Sequence, residues 1–316
     1  MPLHPQVQKL VDELNALDVG PPPWERPLSE VRAEFDALGR ELAAPGPEIS
    51  RIENREIPGP HGPIAIRIYW PNVGADTGPL PVFVNYHGSG FVILGLDNYD
   101  HVCRALSAGA GCIVVGVDYC KAPENKFPKP TDESWAALCW VAENCAGFGG
   151  DPARIAVGGD SAGGGIAAVV SQRAKAEGGP PLVFQLLVYP VTDTRDDTES
   201  YRIFADGYLL TADLMRWFFD CYLNSEAEKS DVRAAPLRAA DLSGLPPAMV
   251  MTASHDPLRD DGAAYAEKLS AAGVPTEYLN YEGHIHDFWT ITARFDISAE
   301  AHATACAALR RAFAAG

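Results

Sequence analysis

Apolar residues recur along this chain in two rhythms, and their order predicts an architecture. In the first fifty residues, VQKLVDELNAL and LSEVRAEFDALGREL carry apolar positions at helical spacing, broken by PPPWERP. Ser29 stands where the second of these helices would take its N-cap. From about residue 50 the period shortens. RIENREI and the alternating PIAIRIYW read as two strands around the turn PGPHGP. Five short apolar runs follow: LPVFVNY, CIVVGVDY, RIAVGG, LVFQLLVYP and PPAMVMTAS, with TEYLNYEG as a weaker sixth. Helical stretches separate them: NYDHVCRALSAGAG, TDESWAALCWVAENC, SAGGGIAAVVSQRAKAEGG and GAAYAEKLSAAGV. Runs that are apolar almost throughout fit strands buried on both faces. The pattern therefore predicts an α/β fold, with helices flanking a mainly parallel sheet.

One interval breaks the alternation. Residues 192–245 hold no core-strand pattern but do hold LTADLMRWFFDCYL, a helix with a heavy aromatic face. The expected division is an N-terminal helical cap segment at 1–48, a catalytic core at 49–191 and 246–316, and a cap insertion at 192–245. An ordinary amphipathic helix packed on the core explains the interval equally well.

Composition narrows the function. At 316 residues, 47% hydrophobic and 21% charged, the chain has material for a sizeable core. A formal net charge of −17 argues against nucleic acid as a partner, since phosphate must be met by basic residues. The seven cysteines lack paired CxxC spacing, which fits reduced thiols and neither a disulfide framework nor a zinc site. No apolar segment of about 20 residues is present, and the N-terminus lacks the pattern of a signal peptide. These features predict a cytoplasmic protein without stable membrane insertion.

Two glycine-flanked serines carry the candidate chemistry. The stretch HGSGF places Ser89 just after a strand, and its bare sequence fits a tight bend, a phosphate cradle or a nucleophile. The stretch GDSAG places Ser161 after RIAVGG and at the opening of a helix, where G-x-S-x-G has mechanical meaning. GGDSAGG lacks the Lys-Ser/Thr of a phosphate loop and the pattern of a dinucleotide fold, so Ser161 is read as the nucleophile. Serine attacks only if a base takes its proton, and an acid must orient that base. Of the later histidines, His302 lies in an Ala-rich helix and is expected at the surface. His255 ends a strand and directly precedes Asp256. His284 and His286 both follow the last strand, and spacing does not choose between them. Asp256 follows PPAMVMTAS at the sheet edge where ligands bind, whereas Asp260 and Asp261 suit a helix start. Nucleophile, acid and base then occur in the α/β-hydrolase order.

These motifs together resemble the bacterial hormone-sensitive-lipase-like carboxylesterases of the α/β-hydrolase superfamily. The resemblance rests on HGSGF (87–91), DYCKAPE (118–124), GDSAGG (159–164), DGYLLTADLMRWFFDCYL (206–223), DPLRDDG (256–262) and YEGHIHDF (281–288). It implies the α/β-hydrolase fold and a catalytic Ser161, Asp256 and His286, because the family's histidine stands before a glycine and a phenylalanine, as His286 stands before Asp287 and Phe288. It implies an oxyanion hole of backbone N–H groups at Ser89, Gly90 and Ala162. His87 and DYCKAPE read as scaffold. It implies hydrolysis of short- to medium-chain acyl esters with no metal and no organic cofactor. A cap would set substrate size, with Trp24, Phe35, Leu209, Phe218 and Phe219 as lining and Phe91, Ile285 and Phe288 nearer the site. The implied partner is a small ester, and a homodimer through the last strand would be ordinary for such a protein.

Departures from the pattern are Ser89 for a glycine, Lys121 for a leucine, and Asp287 for the glycine after the histidine, where a carboxylate would raise the pKa of His286. Two other classes stay open. An amidase, lactonase, carbamate hydrolase or deacetylase would use the same triad. A ligand-binding receptor on this fold would typically have lost its histidine.

Overall fold

The computed structural model describes residues 2–17, 20–74 and 77–315. Two helices open the chain, α1 (Pro5–Asn15) and α2 (Leu28–Leu42). Ser29 does not cap α2. Pro27 takes that position, and its carbonyl accepts from the N–H groups of Glu30 and Val31. The helix therefore begins at Leu28, one residue before the serine, and the proline ring fixes the φ of the residue that leads into it. A hairpin follows, β1 (Arg51–Ile57) and β2 (Ile64–Trp70), closing at the pair Ile57–Ile64 across the PGPHGP turn.

The alternation is then regular: β3 (Leu80–Tyr86), α3 (Asp100–Ala110), β4 (Ile113–Asp118), α4 (Lys129–Asn144), β5 (Gly150–Asp160), α5 (Ala162–Glu177) and β6 (Phe184–Val188). After β6 come α6 (Glu199–Ile203) and α7 (Ala212–Tyr222), neither of which adds to the sheet. Next are β7 (Ala248–His255), α8 (Arg259–Ala271), β8 (Thr276–Ile285) and α9 (Asp296–Ala315).

The eight strands form one sheet in the order β1-β2-β4-β3-β5-β6-β7-β8. The pairs β1–β2 and β2–β4 are antiparallel and all later pairs are parallel. All five residues of β6 and all eight of β7 are buried, as expected for strands covered on both faces. The weaker sixth run is β8, which lies at the sheet edge and exposes part of its length. Helix α5 is buried from Ala162 to Ser171, which explains its run of small and apolar residues with no polar face.

The terminal helix corrects the expectation for His302. It is buried, its Nε2 lies 3.0 Å from the Trp289 carbonyl oxygen, and its ring meets the Trp289 ring edge-on at 4.2 Å. Burial pushes its pKa down to about 4, so it is neutral. Ser298, Ala301, His302, Ala305 and Leu309 form one helical stripe against the core. Alanines make that stripe hard to see in sequence because both faces of α9 are small. No helix among the described residues is long and apolar enough to cross a membrane.

Candidate active site

The C-terminal ends of β3, β5 and β7 converge with the turn after β8, and each delivers part of one site. At the tip of β5 the chain reverses into α5 through Ser161, whose φ of +53° is rare for a residue with a side chain. Two glycines permit the turn. A Cβ on Gly159 would lie 2.1 Å from the Tyr86 carbonyl oxygen, and one on Gly163 would lie 1.9 Å from the same atom. The end of β3 passes too close for any side chain at either position, which is the physical content of G-x-S-x-G here. The turn is fixed by the Ser161 N–H donating to Val188 O at 2.9 Å and by Gly165 and Val191 donating to Ser161 O.

Three side chains meet in a row. Ser161 Oγ is 3.0 Å from His286 Nε2, and His286 Nδ1 is 2.7 Å from Asp256 Oδ2. Asp256 is fully buried and its other oxygen accepts from the Leu258 N–H at 2.9 Å, so its orientation is held. The Tyr189 ring lies against the imidazole, with centroids 4.3 Å apart. Burial works against protonation of His286, but the nearby carboxylates of Asp256 and Asp287 outweigh it and raise the pKa to about 9. His284 is placed elsewhere: its Nδ1 lies 2.8 Å from Glu282 O and its ring stacks on His4 at 5.2 Å. His255 ends β7 beside Ser254, and Asp260 holds Ser200 N–H and Arg259 at the start of α8. Asp261 is buried in the same turn.

The HGSGF loop forms the facing wall. Tyr119 OH donates to His87 O at 2.6 Å and lies 2.7 Å from Ser89 Oγ, which in turn accepts from the Phe91 N–H at 2.9 Å. The Ser89 hydroxyl is thus an internal brace, and its backbone keeps a φ that a non-glycine residue tolerates. Among the described residues, the N–H groups of Ser89, Gly90 and Ala162 donate to no protein acceptor. A second brace was not visible in sequence. Buried Asp160 accepts from Gly88 N–H at 3.0 Å and from Tyr99 OH at 2.7 Å, tying the serine turn to the loop. Burial lifts its pKa to about 7 against the lowering effect of Tyr99. Lys121 also finds an account, pairing with Asp118 at 2.5 Å while His87 stacks on Tyr119 at 4.6 Å with its Nε2 3.4 Å from that aspartate.

Above Ser161 lies a cavity of about 110 Å³. Its apolar walls come from α2, the loop before α7, and α7 itself. Of the residues expected there, Phe35, Leu209 and Phe218 line it. Trp24 does not. It sits 46% exposed on a proline-bracketed turn and lines a separate recess of about 290 Å³ that shares Phe35, Leu38, Leu209 and Leu214 with the site. Phe91 stacks on Tyr222 at 3.9 Å, Phe288 packs on Tyr189 and Tyr281, and Phe219 and Ile285 belong to the buried core. Sequence reading missed Leu214 and Met215 in the wall. Helical spacing was the available signal, because 214 and 215 lie four and three residues before 218 and so share its face.

Comparison with known proteins places this arrangement. The family model described as alpha/beta hydrolase fold matches residues 83–290. A carboxylesterase of Mycobacterium tuberculosis, NlhH, is 49% identical over 84% of this chain and 84% of its own length. An ethyl acetate hydrolase of Pseudomonas putida is 33% identical over 82% of each chain. The structure of an ester-hydrolase from the metagenome of Lake Arreo, complexed with a derivative of bipyridine phosphonate, superposes with a TM-score of 0.95 at 39% identity, covering 99% of both chains. With 49% identity to a carboxylesterase and Ser161, His286 and Asp256 in an arrangement that fits a triad, the chain belongs to the alpha/beta hydrolase fold family and is a carboxylic ester hydrolase of its hormone-sensitive-lipase-like branch.

Proposed function

We propose that the protein hydrolyses short- to medium-chain acyl esters through an acyl-enzyme on Ser161. The observation that carries this reading is the 3.0 Å and 2.7 Å chain from Ser161 through His286 to Asp256, ending at the floor of an apolar cavity. Ser161 Oγ attacks the ester carbonyl carbon while its proton passes to His286 Nε2. Asp256 keeps the imidazole in the tautomer that presents a bare Nε2 and stabilises the imidazolium without taking the proton. The negative charge on the carbonyl oxygen is met by the unpartnered N–H groups of Ser89, Gly90 and Ala162. Removing one such donor typically costs about 100- to 1,000-fold in turnover. The carbon–oxygen bond then breaks, His286 returns the proton to the leaving alcohol, and water activated by the same imidazole releases the acid.

Residues 1–48 and 192–245 act as the cap in this reading, since α2 and α7 supply the apolar wall above the serine. The small cavity and the ethyl acetate hydrolase among the relatives support a short acyl group. Seven unpaired cysteines suit a reducing compartment such as the cytoplasm. A homodimer would form along the exposed edge of β8.

A series of nitrophenyl esters from acetyl to dodecanoyl tests the reading. The expected result is a maximum in kcat/KM among the shorter acyl groups and no turnover by Ser161→Ala. A kcat/KM that climbs to the longest chain, or turnover that survives the substitution, would overturn it.

A further inference from the structure

The residue after His286 is one of two places where this chain departs from its family's motif in the cavity lining, Ser89 being the other, and its placement bears on the substrate. Asp287 has a φ of +65°, and its carbonyl accepts from the N–H groups of Thr290 and Ile291 at 3.0 and 3.1 Å, so the residue is anchored. Its side chain is 35% exposed and takes part in lining the site cavity, with Oδ1 4.0 Å from His286 Nε2. The remaining lining includes no lysine, arginine, glutamate or second aspartate. Among the described residues no lysine or arginine pairs with Asp287, and its ion-pair neighbour is the imidazole. When His286 is neutral and ready to accept a proton, that neighbour carries no charge. A carboxylate in an apolar wall then lacks a cation, in surroundings where Coulomb attraction is stronger than in water.

Geometry also brings the leaving-alcohol end of an ester close to this carboxylate. His286 Nε2 is the atom that returns a proton to the leaving alcohol, so that oxygen must come within hydrogen-bond reach of it. A group 4.0 Å from the same nitrogen is therefore within reach of a short substituent carried on that oxygen. A positive charge two carbons beyond the ester oxygen comes within ion-pair range of the carboxylate. The net charge of −17 raises the local concentration of cationic substrates as well.

We propose that Asp287 determines specificity at an alcohol subsite that takes esters of short amino alcohols, with the ammonium group held by its carboxylate. This rests on the reading of Ser161 and His286 as nucleophile and base. The subsite favours a cation over a neutral group of the same shape, and disfavours an anion.

The probe pair is the acetate ester of choline and 3,3-dimethylbutyl acetate, which match in shape and differ in a charged nitrogen against a carbon. The readout is the ratio of their kcat/KM values, each corrected for active sites counted by fluorophosphonate labelling. The wild-type ratio is expected to favour the charged ester by at least about tenfold, equivalent to ~1.4 kcal/mol. Both Asp287→Asn and Asp287→Gly, residues that tolerate a positive φ, are expected to bring the ratio to about one. A wild-type ratio near one, a preference for the neutral ester, or a preference that survives both substitutions would overturn the subsite. Equal loss on both esters also overturns it, because the carboxylate would then act through His286 alone. If Ser161→Ala still hydrolyses the neutral ester, the failure belongs instead to the underlying reading of the site.

Discussion

Ser89 and Ser161 invite a direct comparison. Each follows a parallel strand of the sheet, each has glycines close on both sides, and each is buried beside the same cavity. Their hydroxyls have opposite surroundings. Ser89 Oγ is held between Tyr119 OH and the Phe91 N–H, so its proton and lone pairs serve the loop. Ser161 Oγ lies against His286 Nε2, a group able to take its proton. Glycine flanks therefore mark where backbone comes close, and the proton acceptor separates the bracing serine from the proposed nucleophile.

The comparison can be broken in order of effect. Ser161→Ala and His286→Ala are each expected to lower kcat on the order of a million-fold, whereas His284→Ala should change it less than tenfold. A large loss in the His284 variant would reverse the choice of base. Gly163→Ala forces a Cβ onto the Tyr86 carbonyl and should destabilise the fold by about 3 kcal/mol or more, read as a lower denaturation midpoint. Tyr119→Phe leaves His87 O and the Ser89 hydroxyl short of a partner and should cost roughly 1–3 kcal/mol in the same measurement. If it costs nothing, the loop is not braced as described.

The pH profile sharpens the reactive side. The base must be unprotonated, so kcat/KM should rise as pH rises through the pKa of His286, which its carboxylate neighbours hold near about 9. Asp287→Asn removes one of those neighbours and should move the rising limb to lower pH. A limb that stays in place would show that Asp287 has no influence on the base. The smallest expected effect is that of Ser89→Ala, which removes an acceptor from Phe91 N–H and should cost about 1 kcal/mol of stability.

The strands were legible because burial on both faces leaves uninterrupted apolar runs, and the order of motifs along the chain was legible with them. Other features depend on contacts distant in sequence. Asp160 braces Gly88 and Tyr99 only because β3 and β5 are neighbours in the sheet, and no local pattern announces that. His302 is hidden by alanines that bury as readily as they sit at a surface. Trp24 and Phe219 show that an aromatic residue near a cavity in sequence need not point into it, whereas helical spacing from Phe218 would have found Leu214 and Met215. Lys121 was within reach, since it pairs with Asp118 three residues earlier.

The central claim is that Ser161, and not Ser89, is the nucleophile. Wild-type protein treated with a fluorophosphonate and digested for peptide mass analysis gives the most direct test. The account predicts one phosphonyl group on Ser161, lost in Ser161→Ala and retained in Ser89→Ala. Label on Ser89, or label that persists in Ser161→Ala, would contradict it.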